Sequence, residues 1–179
     1  MAAVRRVPTG ELRPTEVAAL RELFDAAGAD EDGFTDDDWD HAARGVHFVA
    51  EEGDVIVSHA SVIERRLQTG QHDLATGYVE AVATRPSHQG RGLGTLVMRA
   101  VGKYIDATFQ LGALSTGRQA FYERLGWVVW RGPTAVRTPG GLVRTSEEDG
   151  NVLVRLTPLS PPIDLSKPIS CEWRPGDVW

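Results

Sequence analysis

The apolar run Tyr78-Val79-Glu80-Ala81-Val82-Ala83-Thr84 leads through Arg85-Pro86 into the glycine loop Gln89-Gly90-Arg91-Gly92-Leu93-Gly94. Beyond it Leu93, Leu96, Val97, Val101, Tyr104 and Ile105 recur at spacings of three and four. A strand, a tight loop and an amphipathic helix over residues 93–107 with one buried face follow from that pattern. The chain is thereby directed toward an α/β class. The loop also leaves the backbone N–H groups of residues 89–94 uncovered. The helix beginning near Gly92 adds its unpaired donors and the positive end of its dipole. Such a geometry cradles a phosphate, and a pyrophosphate fits it.

What the loop lacks narrows the ligand. There is no Gly-Lys-Ser/Thr, so the phosphate loop of nucleotide triphosphatases is excluded, and Thr95 stands where a dinucleotide fingerprint counted from Gly90 needs its third glycine. The loop does read Gln-x-x-Gly-x-Gly, a pattern that also serves as a plain turn between strand and helix. An apolar run over residues 109–114 follows as a strand, and Ala120-Phe121-Tyr122-Glu123-Arg124-Leu125-Gly126-Trp127 closes a short helix at a glycine cap. Together the two motifs resemble the GNAT superfamily of acetyl-CoA-dependent N-acetyltransferases. Its signature is Arg/Gln-x-x-Gly-x-Gly/Ala at a strand-to-helix turn, with a Phe-Tyr-Glu-Arg-Leu-Gly-aromatic segment downstream. The resemblance implies acetyl-CoA as cofactor, held by Val82, Ala83, Thr84, Gln89, Gly90, Arg91, Gly92, Leu93 and Gly94.

Length and composition agree with one domain. The chain has 179 residues, 41% hydrophobic, enough for a single substantial core, and no compositional break divides it. No run approaches the roughly 18 apolar residues of a membrane span. Arg5 and Arg6 lack an apolar segment behind them, which argues against a secretory signal. Cys171 is the single cysteine, so no internal disulfide forms; it reads as a buried small side chain and fits a cytoplasmic location. His41, His47, His59, His72 and His88 show no metal-ligand spacing, so no metal is expected. No Gly-x-Ser-x-Gly elbow supports a serine hydrolase.

Along the chain, residues 3–8 read as a strand and 14–27 as an amphipathic helix stopped by Gly28. Thr35 with Asp38 approximates a capping box for a second helix ending at Gly45. Strands follow at 46–51, 55–63 and 76–84, with a polar hairpin around Gly70 between the last two. Further strands fall near 127–135 and 152–156. Residues 132–150 read as a long loop, and the prolines of 157–179 forbid an uninterrupted helix there. The expected fold is α/β (α+β). Residues 1–179 form a single GNAT-like domain with a mixed, twisted sheet and helices on both faces, and 157–179 is a C-terminal tail that contributes to the substrate site.

Acetylating an amine requires removing a proton from an alkylammonium, a donor for the oxyanion and a proton for the leaving thiolate. Period-two alternation places Tyr78, Glu80, Val82 and Thr84 on one face. Glu80 is the candidate base, directly or through water; an ion pair within the sheet is the structural alternative. The Val82 N–H lies where GNAT enzymes hold the thioester carbonyl. By resemblance, Tyr122 is the candidate acid; a phenol near pKa 10 can donate to a thiolate, though a buried tyrosine can also simply position the thiol.

The formal charge is −6, and it is uneven. Asp30, Glu31, Asp32, Asp36, Asp37, Asp38 and Asp40 crowd one segment, Glu147-Glu148-Asp149 a second, and Asp177 lies two residues before Trp179. Such a surface repels nucleic acid and attracts polycations. The segments Leu111-Gly112-Ala113-Leu114-Ser115, Gly77-Tyr78-Val79-Glu80, Asp38-Trp39-Asp40-His41, Gly132-Pro133-Thr134 and Cys171-Glu172-Trp173-Arg174-Pro175-Gly176-Asp177-Val178-Trp179 are similar to the aminoglycoside 2'-N-acetyltransferases. This resemblance implies acetyl transfer from acetyl-CoA to the 2'-amine of an aminoglycoside, with resistance as the outcome and a homodimer as the assembly. It places Asp38, Glu80, Ala81, Ser115, Glu147, Glu148, Asp177 and Trp179, including its carboxylate, around the antibiotic. Asp32 joins them, one position from where relatives carry an aspartate; Gly33 stands at that position here. Glu148 replaces a shorter aspartate, and the stretch from Ser115 to Tyr122 is about two residues short. These departures touch substrate recognition, so a gentamicin- or kanamycin-like drug and a kasugamycin-type drug both stay open. The alternatives are acetylation of a peptide, a lysine or another small amine, and a binding module without turnover.

Overall fold

The computed structural model of the protein describes residues 3–28 and 35–179. Its helices begin where local chemistry favours them. Pro14 opens α1 (Pro14–Ala27), where a preset φ suits the first helical position, and the Glu16 carboxylate accepts the Arg13 N–H at 2.8 Å. In α2 (Asp36–Ala42) the capping box is closed in both directions. Asp38 N–H donates to the Thr35 hydroxyl at 3.2 Å, and Thr35 N–H donates to the Asp38 carboxylate at 2.9 Å. Helix α3 (Leu93–Thr108) buries Leu93, Val97, Met98, Val101 and Ile105, whereas Leu96, assigned to the same face by spacing, is exposed. The short α4 (Gln119–Glu123) carries Tyr122.

Two compact units make up the chain, one of residues up to 63 with Val79–Val101, the other of Glu64–Tyr78 with Gly102–Trp179. In the first unit β1 (Val4–Pro8) pairs antiparallel with β2 (Val46–Glu52), and β2 pairs antiparallel with the first part of β3 (Val55–Thr69). Side chains of β3 reach the last part of β4 (His72–Thr84): Ser58 donates to the Ala83 carbonyl, and Ser61 to the Glu80 carbonyl. Leu20, Leu23 and Phe24 of α1 pack with Val49 and Ile56, and Trp39, Ala81 and Ala83 close the cluster. Each buried leucine contributes about 1.5–3 kcal/mol, so this face seats α1 on the sheet.

In the second unit β5 (Leu111–Ser115) runs parallel to the start of β4, Thr76 opposite Leu111, and antiparallel to β9 (Val152–Leu156). The two-residue β6 (Val128–Val129) adds to β9. β10 (Ile169–Glu172) pairs antiparallel with the end of β3 and parallel with β7 (Thr134–Thr138), which carries β8 (Gly141–Arg144). The sheet is therefore mixed, as expected. The Arg155 guanidinium donates to both Asp106 carboxylate oxygens, at 2.8 and 2.7 Å, which ties β9 to the last part of α3.

Three segments differ from the sequence pattern. The strands expected at 55–63 and 76–84 run up to the Gly70 turn, because β3 stays ordered through charged positions. Arg65 is buried there, its guanidinium 4.7 Å from the Tyr78 ring and paired with Glu172 at 3.2 Å. The strand expected at 127–135 is divided into β6 and the start of β7. The loop expected at 132–150 contains β7, β8 and a 3-10 turn at Ser146–Glu148. Asp149 organises this piece by accepting from Thr134 N–H, the Thr134 hydroxyl and Arg144.

Candidate active site

Within the first unit, β4 carries one break. Ala81 has φ +49°, the one positive φ outside glycine among the described residues. A left-handed alanine inside a strand is strained, and such strain persists where its surroundings hold it. The distortion lies between Glu80 and Val82, while Ala81 and Ala83, two positions apart, both pack against the α1 cluster. After the break, Ala83 packs toward α1 and the Thr84 hydroxyl meets that of Ser58 at 2.8 Å.

Residues 80–84 are all part-exposed, and the loop after them is open. Gly90 and Gly92 have φ +75° and +78°, with nothing within 4 Å of where a Cβ would stand. Positive φ at both turns the backbone into the loop that glycine alone adopts cheaply, and the empty space before it leaves the amides accessible. The loop is braced from behind: the Gln89 amide donates to the Thr84 carbonyl at 3.2 Å, and Arg91 pairs with Glu52 at 2.6 Å. Leu93 is buried and anchors the start of the 16-residue α3, whose first-turn N–H groups complete a donor set suited to a pyrophosphate. The residues present fit the phosphate part of a coenzyme.

The same unit holds a buried hydrogen-bonded chain that spacing did not indicate. His59 Nδ1 lies 2.8 Å from the Ala81 carbonyl oxygen, and its Nε2 lies 2.9 Å from His47 Nδ1. His47 Nε2 lies 2.9 Å from the Thr9 hydroxyl. The Phe24 ring meets His59 edge-on and Trp39 stacks on His47. Burial lowers His47 to about 4; burial first, then the repulsion a protonated His47 would exert, lowers His59 to about 3, so both rings are neutral at physiological pH. The signal available in the sequence was two histidines inside apolar strands, His47 beside Phe48 and Val49, and His59 after Val57. Asp38 also belongs to this unit, with its carboxylate engaged in the α2 cap; Asp32 lies outside the described residues.

In the second unit three segments distant in sequence are joined. The Ser115 hydroxyl donates to the Glu148 carboxylate at 2.6 Å, and the Trp179 indole N–H donates to the Thr145 hydroxyl at 2.9 Å. Thr145 precedes Glu147 and Glu148, so Ser115, Glu147, Glu148, Asp177 and Trp179 are gathered together. Trp179 is buried, and its N–H donates to the exposed Asp177 carboxylate at 3.2 Å. Arg174 shapes the turn by donating to the main-chain oxygens of Asp177 and Trp179 while lying 5.7 Å from the Tyr78 ring. Spacing alone did not single it out. The side chains of Glu147 and Asp177 leave carboxylate oxygens toward solvent, which suits the capture of ammonium groups.

Tyr122 is buried on α4, edge-on to Phe121 and to Trp127. Burial pushes its phenol up to about 12, so it holds its proton across the physiological range and can donate but not accept one as an acid. Cys171 is buried and its thiol donates to the Val178 carbonyl at 3.2 Å, a structural role. Among the described residues no three His, Cys, Asp or Glu side chains cluster as a metal site, and no helix is long and apolar enough to cross a membrane.

Comparison with known proteins places these features. Residues 10–130 match the model of the acetyltransferase (GNAT) domain family. Over 98% of its length the chain is 41% identical to an aminoglycoside 2'-N-acetyltransferase of Mycolicibacterium fortuitum, of which it covers 91%. A GNAT family N-acetyltransferase of Escherichia coli solved in complex with CoA superposes with a TM-score of 0.61 at 14% identity, covering 95% of this chain and 89% of that one. A GCN5-related N-acetyltransferase of Kribbella flavida superposes with a TM-score of 0.56 at 22% identity; the match covers 74% of this chain and 34% of the longer one. At these identities the two structures establish the fold.

Proposed function

We propose, since this chain belongs to the GNAT acetyltransferases and within them to the aminoglycoside 2'-N-acetyltransferase family, that it transfers an acetyl group to the 2'-amine of an aminoglycoside. The observation that carries the substrate is the gathering of Ser115, Glu147, Glu148, Asp177 and Trp179 by two hydrogen bonds, Ser115 to Glu148 and Trp179 to Thr145. Carboxylates held at fixed spacing favour a rigid polyamine, because each ammonium lost from such a contact costs on the order of 1–3 kcal/mol. A drug of the gentamicin and kanamycin type or a kasugamycin-type drug would present its amines to them.

Acetyl-CoA supplies the acetyl group as a thioester when bound, and residues 89–94 with Val82, Ala83 and Thr84 would hold it. The Glu80 carboxylate takes the proton from the attacking amine, directly or through a water. The Val82 N–H donates to the thioester oxygen as negative charge develops there. Tyr122, which burial keeps protonated, gives its proton to the departing sulfur. In this reading residues 1–179 act as one catalytic domain, 157–179 serve substrate binding, and the enzyme works in the cytoplasm as a homodimer.

The test is thiol release from acetyl-CoA with an aminoglycoside panel that includes drugs with and without a 2'-amine, and kasugamycin, followed by mass and NMR location of the acetyl group. Acetylation confined to drugs carrying the 2'-amine is the expected result. Turnover on peptides or simple amines, with none on any aminoglycoside, would overturn the substrate assignment while leaving the acetyltransferase intact.

A further inference from the structure

The chain through His47 and His59 has a direction that chemistry alone assigns. A carbonyl oxygen only accepts, so at 2.8 Å the His59 Nδ1 carries the proton and donates to Ala81. A neutral ring has one N–H, so His59 Nε2 accepts and His47 Nδ1 donates across 2.9 Å. His47 Nε2 then accepts from the Thr9 hydroxyl at 2.9 Å, and Thr9 in turn accepts the Gly45 N–H at 3.3 Å. Both rings are fully buried and packed by Phe24 and Trp39. The Thr9 hydroxyl also lies 3.1 Å from the Gly45 carbonyl, but that oxygen already accepts the Thr9 N–H at 3.0 Å, so the single hydroxyl proton serves His47 and the chain runs from the Gly45 amide to the Ala81 carbonyl.

The end point of that chain is the strained residue of β4. No peptide bond among the described residues is cis, so the Ala81–Val82 unit is planar and trans, with the Ala81 carbonyl and the Val82 N–H directed oppositely across one plane. Holding the carbonyl on the histidine side therefore turns the Val82 N–H to the other side. We infer that His59, oriented by His47 and Thr9, is a positioning residue that fixes the Ala81–Val82 peptide and so aims the Val82 N–H at the thioester oxygen. The inference rests on the role proposed above for that N–H. It explains why two histidines are spent in an apolar layer: a freely rotating hydroxyl or amide could also reach a carbonyl, but a ring whose second nitrogen is engaged has one tautomer and one orientation.

The experiment compares His59→Phe, which keeps the ring and removes the donor, with His59→Asn, whose amide N–H stands near the position of Nδ1–H. With an aminoglycoside that the wild type acetylates, His59→Phe is expected to lower kcat at least tenfold while the Kd for CoA stays within twofold. His59→Asn is expected to keep kcat within about threefold. Equal losses in the two variants, or an unaltered kcat in His59→Phe, would overturn the inference. A long-range 15N–1H correlation spectrum of the wild type gives a readout independent of turnover and of any variant folding. It is expected to show His47 and His59 both protonated at Nδ1, the less common tautomer, and a proton on His59 Nε2 alone would overturn the arrangement. A wild type that acetylates no aminoglycoside refutes the substrate assignment, and the tautomers then decide the hydrogen-bonded chain by themselves.

Discussion

Lowering the pH from 8 to 5 is expected to remove about 4 kcal/mol of folding stability through His47 and His59. Burial holds the folded values near 4 and 3, against about 6.5 in the unfolded chain. Between these limits the folded rings stay neutral while the unfolded ones bind protons, so protonation pulls the equilibrium toward the unfolded state. Their contribution is complete above pH 6.5 and is lost as pH falls through the window from about 6.5 toward 4. At about 1.4 kcal/mol per pH unit and group, the 1.5 units from 6.5 to 5 cost about 2 kcal/mol per histidine. The result requires only that both folded values lie well below 5. Glu16 acts in the same direction but lower. Arg13, through side-chain and backbone hydrogen bonds, and Arg5 hold it at about 2, so its contribution is lost only as pH falls below about 4.5. Against a typical total of about 5–15 kcal/mol, the histidine effect is large. Urea unfolding at pH 8, 7, 6 and 5 measures it, with the m-value checked for constancy. The double variant His47→Gln, His59→Asn should flatten the profile between 6.5 and 5. A wild-type stability that is level over that range, or a double variant as acid-sensitive as the wild type, would refute the reasoning.

Three further outcomes are expected. Glu80→Gln should lower turnover roughly a hundredfold, the range of a lost general base, with CoA binding retained; an unchanged rate would make Glu80 a binding or structural residue. Tyr122→Phe should lower kcat about tenfold or more without altering the shape of the pH–rate profile up to pH 10, because the buried phenol stays protonated there; a wild-type alkaline limb that the substitution abolishes would contradict this. Glu148→Gln should raise the KM for the aminoglycoside about tenfold while kcat changes little, as loss of one charged contact predicts, and steady-state kinetics with both substrates varied separates the two effects.

Local patterns carried far in this chain. The apolar spacing from Leu93 to Ile105 and the glycines before it define α3 and its loop, because helix periodicity and positive φ are local properties. The structure extends that helix by a single residue past the expected 107. Thr35 and Asp38 cap α2 as their types require. Patterns failed where distant partners override composition. Arg65 reads as a loop residue until Glu172 and the Tyr78 ring bury it in β3. Residues 132–150 read as a loop until Asp149, reaching back to Thr134, closes the β7–β8 hairpin onto the following turn.

Of the candidate site, the sequence by itself pointed to residues whose chemistry is written in short motifs, the Gln89 to Gly94 loop and Glu80 in its strand, and a family resemblance added Tyr122 in the Phe-Tyr-Glu-Arg segment. Only the tertiary structure decided that Ala81 breaks the strand, that His47 and His59 meet behind it, and that Ser115, Glu148 and Trp179 are joined across more than sixty positions. The physical reason is range. A backbone conformation and a helix face depend on neighbours a few residues away. A strained peptide or a shared carboxylate depends on which remote donor the fold delivers to it, and a hydrogen bond of under about 3 Å leaves no trace in the spacing of the residues that make it.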